Sequence, residues 1–319
     1  MKLGARFFYW MPAVVLLAGA TLAVAVLTAQ SSVQTQLGAI AVGEGPEAIA
    51  FDGTHIWVAN QFSDTVTKIR AADAAVVGTF AVGRQPLAVL AAAQAIWVAN
   101  YASNSVARLD PATGAVLASY PVGSGPGGLA FDGTHIWVAN RAANTVSKLR
   151  ASDGYLAGEF KVGLRPVALL FDGSSIWVSN NESDTVMKLR LSDGLVLGTY
   201  PVGDGPFGLA FDKTHIWVAN FFSQSVTKLR ASDGAHMGKF SVGDGPAGVA
   251  FDGASIWVSN NGSDNVMRLN PSDGAILATF AVGNGPFGIA FDGFNLWVAN
   301  AGSNTVSTTA LPTQSLATD

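Results

Sequence analysis

Short apolar stretches separated by turn-forming residues fill most of this chain. The first set is Pro46–Phe51, His55–Ala59, Thr65–Arg70 and Val76–Val82. Asp52-Gly53, the run Asn60–Asp64 and the residues around Asp73 stand between them. Segments of this kind, bounded by Gly, Asn and Asp, predict strands rather than helices. The triplet Ser-Asp-Gly at 152–154, 192–194, 232–234 and 272–274 predicts tight hairpins. The N-terminus breaks the pattern. Lys2 and Arg6 precede an apolar run from Phe7 to Ala29, which gives way to Gln30-Ser31-Ser32. This segment, 1–29, reads as a secretory signal peptide or as an uncleaved membrane anchor. Either reading carries the rest of the chain across the membrane, because the positive end stays inside.

The strand pattern repeats. Trp recurs at 57, 97, 137, 177, 217, 257 and 297, and Val-Gly recurs from 42 to 282 at the same spacing of 40. An Asn column (Asn60 to Asn300) and a Val column (Val66 to Val306) keep the same phase. Four strands per copy, seven copies in phase, predict an all-β, seven-bladed β-propeller with four antiparallel strands, A to D, in each blade. Strand A belongs at the axis, because column 48 holds only Ala and Gly. Strand D belongs at the rim, where Pro121, Pro201, Lys161 and Lys239 suit an exposed edge. The last copy lacks a strand D, and one unpaired strand, Leu37–Val42, precedes the first copy. The N-terminal strand is therefore expected to complete the last blade. The propeller spans 37–310, after a linker at 30–36 and before a tail at 311–319. Blade 2 replaces Phe-Asp-Gly by Ala91-Ala92-Ala93-Gln94, which predicts a looser A–B turn there.

Composition narrows the functions. The chain has 36 glycines among 319 residues, no cysteine, and a net charge of −4. Glycine at that level without a Gly-X-Y period fits many turns. The absence of cysteine excludes disulfides, thiolate metal sites and a Cys nucleophile. The net charge argues against a nucleic-acid partner.

Trp57-Val58-Ala59-Asn60, followed by Thr65-Val66, resembles the 40-residue YVTN β-propeller repeat, with Trp in place of Tyr in every copy. Asp110-Pro111-Ala112-Thr113-Gly114 is similar to that family's C–D turn. The resemblance implies the fold and an exported or cell-surface protein, and no particular reaction. A weaker similarity links the copies to the streptogramin lyase group, also seven-bladed. That group's Pro and Glu are missing here, and no position matches its catalytic His and metal-supporting acid.

Repeated residues read as structural. The Trp column predicts inter-blade core. The Asn column predicts closure of the B–C loops through side-chain-to-backbone bonds. The Asp column (Asp52, Asp132, Asp172, Asp212, Asp252, Asp292) predicts closure of the A–B turns. Calcium would need these carboxylates to converge, and a ring of turns disperses them. His55, His135 and His215 read as polar strand-start residues. The strand C cations (Lys68, Arg108, Lys148, Lys188, Lys228, Arg268, and Arg70, Arg150, Arg190, Arg230) read as a solvated outer face.

Recognition is expected where the copies differ. The D–A and B–C loops share one face, and their variable positions hold Glu47, Arg84, Tyr101, Arg141, Arg165, Glu182, Asp204, Phe207, Phe221, Phe222, Asp244 and Phe287. Aromatic and Arg side chains on rigidly held loops suit a binding face. The first expectation is an exported, non-catalytic, monomeric scaffold that binds a protein, glycan or small molecule there and uses no cofactor. The membrane would be touched only through the N-terminal segment. The alternative is a lyase or lactone hydrolase at the channel mouth, assisted by a divalent metal.

Overall fold

A computed structural model describes residues 37–309. The predicted leader or anchor, the linker and the C-terminal tail lie outside the described residues. Within them, seven four-stranded antiparallel sheets follow one another in chain order, and every strand but the first pairs with a sequence neighbour. In blade 1 strands A to D are Pro46–Phe51, His55–Asn60, Thr65–Arg70 and Val76–Ala81. The strand Gly38–Ala41 pairs with Thr305–Thr308 and supplies strand D of blade 7, as the sequence predicts. Among the described residues no helix is long and apolar enough to cross a membrane.

The core lies between blades. Trp57 packs with Val89, Ile96 and Val98 of blade 2, and the same pairing of neighbouring blades recurs around the ring. Six of the seven Trp side chains are fully buried, and Trp257 is nearly so. Each indole N–H needs a partner, because a buried polar group without one is costly. In six blades the Asp column supplies it, as Trp57 Nε1 donates to Asp52 Oδ2 at 2.7 Å while Asp52 Oδ1 accepts the backbone N–H groups of Thr54 and His55, and in blade 2 Trp97 Nε1 donates to Ala92 O at 3.3 Å. One carboxylate thus ties the A–B turn to the core. At the axis the strands A approach so closely that a Cβ on Gly128 would lie 2.3 Å from the carbonyl oxygen of Val167 in the next blade. The same approach recurs at Gly208, Gly248 and Gly288, and the three other positions of the column hold Ala, the smallest side chain.

Three expectations are corrected. Lys68, Lys148, Lys188 and Lys228 are buried rather than solvated. Each ammonium lies over its own blade's Trp at 5.0–5.1 Å and donates to a carbonyl in the next blade's C–D loop, as Lys68 does to Pro111 O at 2.6 Å. Desolvating an ammonium is tolerable where a π face and a carbonyl replace water. Only the Arg70, Arg150, Arg190 and Arg230 column is exposed, in ion pairs with the C–D turn aspartates. The Asn column, in turn, closes its loops mainly on strand C hydroxyls: Asn60 Nδ2 donates to Thr65 Oγ1 and Thr67 Oγ1. Blade 2 does not loosen either. Its strand A runs on to Ala92, and Ala93 and Gln94 form a two-residue turn with φ of 50° and 57°. Losing Asp removed the turn's side-chain acceptor, so the hairpin ladder took over.

Candidate functional site

Every strand A carries a β-bulge at its start. In blade 1 Pro46 opposes Asn60 and Ala48 opposes Ala59, so Glu47 is an extra residue in the ladder. The same register break occurs in the six other A–B pairs. A bulge releases a side chain from the alternation of the sheet and re-aims it. Here it produces a ring of seven positions: Glu47, Leu87, Gly127, Val167, Phe207, Ala247 and Phe287. A second ring follows the Asn column, from Gln61 and Tyr101 through Arg141 and Phe221 to Ala301. Packing does not require any one residue at these positions: only Phe occurs twice in the bulge ring and only Asn twice in the second ring.

The two rings enclose the mouth of the central channel. A cavity of about 520 Å³ is lined by Glu47, Gln61, Phe62, Leu87, Tyr101, Arg141, Arg165, Phe207, Phe287 and Ala301. Below it a narrower space of about 200 Å³, lined by all seven strands A, shares Glu47, Leu87, Arg141, Phe207 and Phe287. Six of the twelve residues singled out from sequence therefore meet here: Glu47, Tyr101, Arg141, Arg165, Phe207 and Phe287. Phe221 joins the aromatic side, with its ring centroid 6.2 Å from that of Phe207. Arg84, Glu182, Asp204, Phe222 and Asp244 are exposed on the surrounding loops and do not line the cavity. Sequence reading missed Leu87 and Gln61, although their columns vary as much as Glu47 and Tyr101 do.

The mouth has two unlike sides. Phe207 and Phe287 pack at 5.9 Å between centroids, and Phe221 extends the cluster. Glu47, Arg141, Arg165 and Tyr101 form the polar part of the lining, and Arg141 reaches the Phe207 ring. Arg141 lies flat across Gly127, where any Cβ would come within 2.1 Å of Nε. Its Nη2 donates to Gly127 O at 3.3 Å, its Nε has no partner, and its guanidinium lies 5.6 Å from the centre of the Phe207 ring. Burial pulls the Arg141 pKa down, and the negative charge of Glu47 opposes this, while Arg165 adds to it. Burial pushes the Glu47 pKa up, and Arg141 offsets this in part. Both side chains nonetheless keep some surface open to the channel. Arg165 pairs with Glu182 at 3.4 Å, an exposed contact worth little by itself.

Arg165 sits in a left-handed conformation, φ 50°, at a position that is Gly in five of the seven copies. Gln85 is the other exception, at φ 53°. Side chains are unfavourable there. The blade-to-blade bond is kept, because Arg165 N–H donates to Asn144 Oδ1 at 2.8 Å just as Gly125 N–H donates to Asn104 Oδ1 at 2.9 Å. On the opposite face His55, His135 and His215 start strand B beside the turn aspartates, at 3.2–3.7 Å. Among the described residues no group of three or more His, Asp and Glu side chains is placed to hold a metal ion.

Comparison with known proteins adds the fold and nothing finer. No family profile and no curated relative matches the chain, so the YVTN resemblance has no independent support. Among solved structures, a streptogramin B lyase aligns at 18% identity with a TM-score of 0.75, over 86% of this chain and 97% of its own. The virginiamycin B lyase of Staphylococcus aureus aligns at 17% identity and TM-score 0.75, over 86% and 99%. Hydrazine synthase of Kuenenia stuttgartiensis aligns at 19% identity and TM-score 0.75, over 90% and 99%. Similarity at this level establishes a shared fold and leaves activity open.

Proposed function

We propose that this protein is an exported, non-catalytic propeller that binds a small ligand at the channel mouth on its D–A and B–C loop face. The observation that carries the reading is the convergence of residues from six blades on one cavity of about 520 Å³, a volume typical of small-molecule sites. The repeat supplies a rigid frame, and the two variable rings supply a non-repeating surface at its mouth. Export is supported by the charged and apolar character of residues 1–29, which reads as a leader or an anchor that would carry the propeller across the membrane. The lyase alternative is carried by fold likeness alone, at 17–18% identity.

The test is a thermal-shift screen of small metabolites on wild type and on a Phe207→Ala/Phe287→Ala double variant, with and without divalent cations. A ligand that raises the melting temperature of wild type and not of the variant supports the reading. Ligands that stabilise both proteins equally would place binding elsewhere. Metal-dependent turnover of a bound compound would revive the lyase.

A further inference from the structure

The mouth holds an acid and a base that face one cavity without neutralising each other at contact. Glu47 and Arg141 sense each other's charge, yet neither closes an ion pair with the other; the pair that does form on this face joins Arg165 to Glu182. Glu47 contributes no hydrogen bond through its side chain to a described residue, and the one protein acceptor of Arg141 is Gly127 O. A half-buried carboxylate and a half-buried guanidinium left this way lose hydration without recovering it. Beside them stand the Phe207–Phe287 pair and Phe221, an apolar surface to which Arg141 is already joined by its cation–π contact.

A purely anionic ligand would satisfy Arg141 and leave its charge against Glu47. A purely cationic one would satisfy Glu47 and repel Arg141. Resting on the mouth as the binding site, we infer that the ligand is a small zwitterion with an apolar or aromatic body, such as an apolar α-amino acid. Its ammonium pairs with Glu47, its carboxylate with Arg141, and its side chain lies on the phenylalanines. Tyr101 and Arg165 border the carboxylate end. Two observations on the chain's own economy agree. Gly127 is the one Gly in the bulge ring, and it lies beneath the one Arg in the neighbouring ring. Arg165 stands where the backbone favours Gly.

The experiment is titration calorimetry with three probes of one shape: L-phenylalanine, phenethylamine and 3-phenylpropionate. L-Phenylalanine should bind at least about tenfold tighter than either single-charge probe, the scale of one charge-assisted contact. Glu47→Gln should weaken L-phenylalanine and phenethylamine while sparing 3-phenylpropionate. Arg141→Met should do the reverse, weakening L-phenylalanine and 3-phenylpropionate and sparing phenethylamine. Far-ultraviolet circular dichroism and melting of both variants check that they fold. A single-charge probe that matches L-phenylalanine overturns the zwitterion and leaves the mouth as a site. No binding by any of the three overturns the zwitterion, while the metabolite screen on wild type and the Phe207→Ala/Phe287→Ala variant decides the mouth itself.

Discussion

At the scale of residues, Gly127 and Arg165 separate what the fold needs from what the mouth needs. Other copies carry Val167 and Ala247 at the Gly127 position, so the bulge accepts a side chain. Gly127→Ala should therefore leave the melting temperature close to wild type while pushing Arg141 off its seat, and any carboxylate-bearing ligand should bind about tenfold more weakly, roughly one hydrogen bond to a charged group. Arg165→Gly restores the residue that five copies use. Relief of left-handed strain and the gain in unfolded-state freedom roughly cancel, so stability should stay within about 1 kcal/mol of wild type in denaturant melts. Ligand affinity should fall all the same; a stability loss with unchanged affinity would make Arg165 structural. Glu47 gives a pH signature. Its folded-state pKa is raised above the ordinary 4.5, so the native state holds the proton more tightly than the unfolded chain. Stability from this group falls as pH rises through and beyond about 4.5, and Glu47→Gln should remove that fall, melting higher than wild type at pH 7 and converging with it below about pH 4.

At the scale of elements, the Asp–Trp bond sets the opposite trend. Burial acts to raise the Asp52 pKa, but the Trp57 indole and the backbone N–H groups of His55 and Thr54 outweigh it, and the net shift is below 3.8. Asp132, Asp172, Asp212, Asp252 and Asp292 behave alike. A depressed carboxylate contributes stability that is present above about pH 4 and is lost as pH falls through its folded value. Six such groups should give a steep loss of melting temperature in acid, and Asp132→Asn should make it shallower. Trp137→Ala should cost roughly 3–5 kcal/mol, read from denaturant midpoints, since it empties a fully buried inter-blade position. These elements were the legible part of the sequence, because packing repeats the same demand in every blade and so writes columns. The lysine column misled because charge suggests solvent, and only the neighbouring blade's carbonyls and the Trp faces reveal why an ammonium stays inside. The bulge was hidden for a related reason: an extra residue in one strand leaves the 40-residue count unchanged, so the column it re-aims looks like any other strand position.

At the scale of the molecule, the mouth is asymmetric although the ring is not. Phenylalanines occupy blades 5 and 7 of the bulge ring, and Glu47, Tyr101, Arg141 and Arg165 come from blades 1 to 4. Sequence columns could mark these residues as variable but could not say that half of them meet over the channel while Asp204, Asp244 and Phe222 stay on the outer loops. That distinction depends on the bulge and on which loop leans inward. The join that closes the ring has a temporal meaning as well. Gly45 N–H donates to Asn304 Oδ1 across 259 residues of sequence, and Gly38–Ala41 meets its partner strand only at Thr305–Thr308. While the chain is being made, that strand waits, an unpaired edge, until Thr305–Thr308 has followed. The circle can shut only once Thr305–Thr308 has been made, so a nascent chain halted before Thr305 is left with an open arc and an unfinished seventh blade.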